Sequence, residues 1–116
     1  MKIMKNINRA ARGKGAKAER QLLNGLVDKG YEVRRTHLSM FPDIIAWNES
    51  ELLMIEVKQR ADSKGASNAL SMFRASAKDV TIWYKGARIL CYLSINGNWK
   101  AFEWKNGVTE EVESIV

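Results

Sequence analysis

At 116 residues the chain is long enough for one hydrophobic core and too short for two, and its single cysteine, Cys91, excludes an internal disulfide and any cysteine-rich zinc site. No apolar run approaches the roughly 20 residues of a membrane span, and the basic N-terminus lacks the apolar block of a secretory signal, so a soluble, intracellular domain is expected. The net charge of +6 sits wholly in residues 1–20, where Lys2, Lys5, Arg9, Arg12, Lys14, Lys17 and Arg20 face only Glu19.

The elements follow in chain order. Residues 1–13 read as a flexible basic arm, ending near Gly13 and Gly15, ahead of a single domain over 14–116. A basic arm on a neutral body suits a polyanion such as DNA, because each phosphate contact releases counterions; a solvated tail is the plainer alternative. Leu22, Leu23, Leu26 and Val27 make an apolar stripe that predicts a helix over 16–29, with Gly30 as its C-cap. Glu19 falls on or beside that stripe, where it either borders the core or points at something. "YEVRR" (31–35) alternates as a strand, a loop spans 36–41, and strands are expected at 43–47 and 51–58 around the turn "NES". The second of these is apolar on both faces and so should be central. Residues 59–75 show no clear period; Ser76 and Asp79 have capping-box-like spacing for a short second helix closed by Gly86. "RILCYLSI" (88–95), the turn "NGN" and "WKAFEW" (99–104) make a final hairpin, and the acids Glu110, Glu111 and Glu113 read as a solvated tail. The expected fold is α/β, a small single domain with a mixed five-stranded sheet flanked by helices.

Chemistry concentrates in "FPDIIAWNESELLMIEVKQR" (41–60). With period two, Glu56 and Lys58 share one face of the central strand, where an unpaired charge costs several kcal/mol. If 43–47 and 51–58 pair as a hairpin, Asp43 comes to lie near 56–58. Two neighbouring carboxylates repel, and they relax on sharing a hard divalent cation such as Mg2+. A lysine beside them stabilises negative charge on a phosphate. Metal-dependent phosphodiester hydrolysis needs that set; a buried ion pair of Lys58 with Asp43 or Glu56, serving only the fold, is the alternative.

Pro42-Asp43, twelve residues, then Glu56-Val57-Lys58 resembles the PD-(D/E)xK nuclease signature. The likeness is closer to the archaeal-type Holliday junction resolvases, through "KGAKAERQLLNGLVDKGYEVRR" (14–35), "PDIIAW", "LLMIEVKQR", "YKGARILCYLS" and "WKAFEW" in the family's order. The resemblance implies a restriction-endonuclease-like core, a homodimer and nicking of four-way DNA junctions with Mg2+ or Mn2+. It implies Asp43, Glu56 and the backbone carbonyl of Val57 as metal ligands, Glu19 as the helix-borne acid completing the site, and Lys58 as the catalytic lysine. Arg34 or Arg35 would match the family's arginine, and Lys14 and Arg20 its DNA contacts. A loop serine implicated in cleavage would be Ser39, with Thr36 as the alternative, although "THLSMF" (36–41) lacks the usual glycine. Contacts that longer members make beyond the last strand are not expected here.

Around this set, Arg9, Arg12, Lys17 and Arg60 are further candidate DNA contacts; for Arg60 a solvated strand end is the equal reading. Lys64, Arg74 and Lys78 are candidates for a DNA track. His37 and the four tryptophans have bland readings as a loop residue and as core or dimer surface. Two other functions share these features: a nuclease of the same fold acting on duplex, nicked or flapped DNA, and a DNA-binding protein without catalysis.

Overall fold

The computed structural model describes residues 17–36, 41–83 and 85–116. Residues 17–28 form helix α1, which turns Ala18, Leu22 and Leu26 into the core. It ends as the sequence requires. Gly30 adopts φ 94°, and the N–H groups of Tyr31 and Gly30 donate to the carbonyls of Leu26 and Val27, both at 3.0 Å. That pairing satisfies the carbonyls that a helix end leaves open.

Strands β1 (Glu32–Arg35), β2 (Ile44–Trp47) and β3 (Leu52–Arg60) follow, then helix α2 (Ser63–Trp83), then β4 (Arg88–Ile95), β5 (Asn98–Lys105) and β6 (Val108–Val112). They make one sheet in chain order, antiparallel except for the β3–β4 pair, which is parallel and joined through α2. β3 and β4 are therefore central. Their apolar side chains face helices on both sides, which is why neither strand shows a clean polar alternation. On one face Leu53, Ile55, Leu90 and Tyr92 meet Leu22 and Leu26 of α1; on the other Ile89, Cys91 and Leu93 meet Ala66, Ala69, Phe73 and Ala77 of α2.

Two expectations are corrected. The sheet has six strands, not five. The stretch expected to be a solvated tail pairs along β5 after the turn Asn106-Gly107, whose φ values of 50° and 84° match those of Asn96-Gly97 (52° and 85°). Both are Asn-Gly hairpin turns. Glu110 and Glu111 are exposed as expected, but on an edge strand, where they reach Lys105 (3.5 Å) and Lys100 (3.7 Å). Charges on an edge strand also deter pairing with other chains. Helix α2, for its part, starts at Ser63 and not near Ser76: Asp62 Oδ1 caps it by accepting the N–H of Gly65 at 2.8 Å. Its buried face is mostly alanine, so the apolar stripe is faint.

No helix among the described residues is long and apolar enough to cross a membrane. The basic arm, 1–13, lies outside the described residues.

Candidate active site

Asp43 stands one residue before β2. Its N–H donates to the carbonyl of Ile55 at 2.9 Å, tying it to β3 just before the regular β2–β3 ladder begins. The Ile44–Ile55 pair next to it brings Asp43 near residues 56–58, as the hairpin reading anticipated, and its carboxyl within hydrogen-bond reach of Glu56. Asp43 Oδ2 also accepts the N–H of Val57 at 2.8 Å, so its carboxylate is fixed against the strand that carries Glu56 and Lys58.

Glu56 is 8% exposed. Burial, first, and then its hydrogen bond to Asp43 and the charge there, push its carboxyl up to about 8; Lys58 works in the opposite direction and Glu19 adds a small further rise. Three residues, Asp43, Lys58 and Glu19, thus act on one carboxyl. Among the described residues no ion pair joins Lys58 to Asp43 or Glu56. Lys58 does not neutralise the acids by direct contact, which counts against a pair that serves only the fold. A buried acid, Glu56, held against a half-buried one, Asp43, without a cation between them is poorly compensated.

Glu19 projects from α1, its Oε1 3.6 Å from Arg35 Nε, with both side chains about one quarter exposed (27% and 28%). Arg35 at the end of β1 therefore holds the helix-borne acid at the edge of the site. Arg34 points the other way, its guanidinium 5.8 Å over the Trp47 ring. Among the remaining candidate DNA contacts, Lys17 and Arg20 are exposed on α1, and the Arg60 guanidinium donates to the carbonyl of Gln59 at 2.7 Å. Arg9, Arg12, Lys14, His37 and Ser39 lie outside the described residues.

The donor set fits a hard divalent cation. Asp43 and Glu56 offer facing carboxylates, and the backbone oxygen of Val57 lies on the same strand between Glu56 and Lys58. Among the described residues no three acidic, histidine or cysteine side chains cluster to enclose an ion. Mg2+ is suited to such a half-open site, since it keeps several waters and takes one or two carboxylates.

Sequence reading missed a second polar network. Glu103 is buried (4% exposed) and is held by Arg88, whose Nη2 donates to Oε1 at 2.7 Å and Nε to Oε2 at 3.2 Å. Arg88 also reaches Glu51 (3.4 Å), which accepts the Tyr31 hydroxyl. Arg88 and Glu103 come from β4 and β5, Tyr31 and Glu51 from the residues just before β1 and β3, and no motif spacing could have joined them. Cys91, paired with Glu56 across β3–β4, is buried, and burial pushes its thiol up to about 12. Of the tryptophans, Trp104 packs on the α2 side of the core and Trp99 is 43% exposed.

Among solved structures the chain is similar to Hjc of Archaeoglobus fulgidus, described as a Holliday junction resolvase from an archaeal hyperthermophile. The two are 22% identical over 86% of this chain and 84% of that one, with a TM-score of 0.48. No curated protein matches the chain at a significant level. The family model of the archaeal Holliday junction resolvase (Hjc) matches residues 10–112. That span takes in every element from α1 to β6, Glu56 and the three residues that act on it, and by it the chain belongs to the archaeal Holliday junction resolvase family.

Proposed function

We propose that the chain is a Mg2+-dependent endonuclease that nicks four-way DNA junctions as a homodimer. The carrying observation is Asp43, fixed by the Val57 N–H, facing the buried Glu56 with Lys58 two residues further along the same face. Asp43, Glu56 and the Val57 carbonyl would hold the cation, and Glu19 stands at its rim. When bound, the ion supplies a water of lowered pKa and positive charge beside the phosphate. The Lys58 ammonium faces the same ground and stabilises charge that develops on the phosphate oxygens. Arg35 keeps Glu19 aligned. In-line attack would leave 5′-phosphate and 3′-hydroxyl ends. Junction selection would come from phosphate contacts and the spacing of two sites in a dimer, with little reading of bases.

Metal binding tests the site apart from catalysis. Mn2+ titrated calorimetrically into wild type should give one site per chain, lost in Asp43→Asn; equal binding by the variant contradicts the assignment. The phosphate contacts have their own signature. Replacing Lys17 and Arg20 together by alanine should weaken junction binding and flatten the dependence of log Kd on log salt by about one to two. An unchanged slope would remove both residues from the DNA surface.

A further inference from the structure

We propose that Thr36 is a positioning residue for the metal site: its hydroxyl fixes the Pro42–Asp43 peptide and thereby the Asp43 carboxylate. The proposal rests on reading Asp43 as a metal ligand. Thr36 follows β1 directly, and its Oγ1 lies 2.6 Å from the carbonyl of Pro42 and 3.4 Å from that of Asp43. Its own N–H donates to the Asp43 carbonyl at 3.1 Å. β2 begins only at Ile44, so the Pro42 carbonyl lies ahead of the regular ladder, and the threonine hydroxyl supplies its hydrogen bond.

Asp43 is consequently tied from both neighbours. β3 takes its N–H through Ile55 and its Oδ2 through Val57, while Thr36 takes its carbonyl and the one before it. The β3 ties set how far the carboxylate stands from Glu56. Those from Thr36 set the pitch of the peptide that carries it, and only the hydroxyl contact depends on the side chain. Groups that orient a metal ligand in this way are worth about 10- to 100-fold in metal affinity or rate. The same contacts turn the Thr36 hydroxyl toward backbone, a role separate from that of a loop serine acting in cleavage.

The test compares Thr36→Val, which keeps the branched shape and removes the hydroxyl, with Thr36→Ser, which restores it. Mn2+ affinity is read by calorimetry, kcat and KM on a labelled four-way junction, and Tm without metal. Thr36→Val should weaken Mn2+ binding and lower kcat about tenfold or more, with KM for the junction unchanged, and Thr36→Ser should return both toward wild type. Wild-type affinity and kcat in Thr36→Val overturn the proposal. So does a loss that tracks a fall in Tm and is not recovered by Thr36→Ser, which marks a purely structural threonine. Asp43→Asn run alongside separates the two readings: if it binds Mn2+ like wild type, Asp43 is not a ligand and the underlying assignment fails.

Discussion

Glu56→Gln is expected to lower the junction cleavage rate on the order of 10³-fold or more while leaving the metal-free protein as stable as wild type, or more so. The two halves have one cause. Glu56 is buried against a second acid, and its ionised form is opposed by lost hydration and by Asp43. Glutamine keeps the volume, removes the charge and donates an N–H toward Asp43, so the fold loses nothing it needs. The cation, by contrast, loses an anionic ligand that a neutral amide replaces poorly. Single-turnover cleavage and thermal unfolding on the same preparation decide the matter. A variant that still cuts at near wild-type rate, or that unfolds many degrees earlier, contradicts the account of Glu56 as a ligand held at the fold's expense.

Arg88→Ala has the opposite profile: stability falls and chemistry is spared. Removing the guanidinium leaves Glu103, with a side chain only 5% exposed, facing Lys105 Nζ at 4.0 Å as its remaining cation among the described residues. Breaking a buried pair from one side costs about 3 kcal/mol, because the stranded charge keeps its desolvation penalty. For a domain of this size that is a fall in Tm of roughly 10 °C. Removing both charges, Arg88→Met with Glu103→Leu, should recover most of the loss. Arg88 pairs with Leu53, at the opposite end of β3 from Lys58, so cleavage well below the Tm should stay near wild type. A loss under about 1 kcal/mol in Arg88→Ala would show that Glu103 finds water or a new partner.

The two networks also show what a sequence can carry. Asp43, Glu56 and Lys58 were legible because a hairpin joins them: a two-residue period and a short turn set the register, and the register sets the contact. Glu19 was legible as a helix position, but its tie to Arg35 crosses from helix to strand and has no local signal. The Arg88–Glu103 pair joins β4 to β5 through a buried acid that, read along β5, looks like an ordinary polar position. Helix α2 was underestimated because Ala66, Ala69 and Ala77 bury little area each, and a stripe of alanine scarcely differs from a serine-rich loop. β6 was missed although Asn106-Gly107 is as strong a hairpin signal as Asn96-Gly97; three glutamates in the following stretch outweighed it. Edge strands tolerate such acids because one face of their pairing stays in water.

The most direct test of the central claim is cleavage of a labelled immobile four-way junction beside its matched duplex, with Mg2+ or EDTA, by wild type and Asp43→Asn. The substituted amide can still accept the Val57 N–H through its oxygen, so the variant removes the charge and spares the hairpin. Paired, symmetric nicks on the junction, far slower on the duplex and abolished by EDTA and by the substitution, are the predicted result. Equal cutting of duplex, or cutting that survives Asp43→Asn, would contradict it.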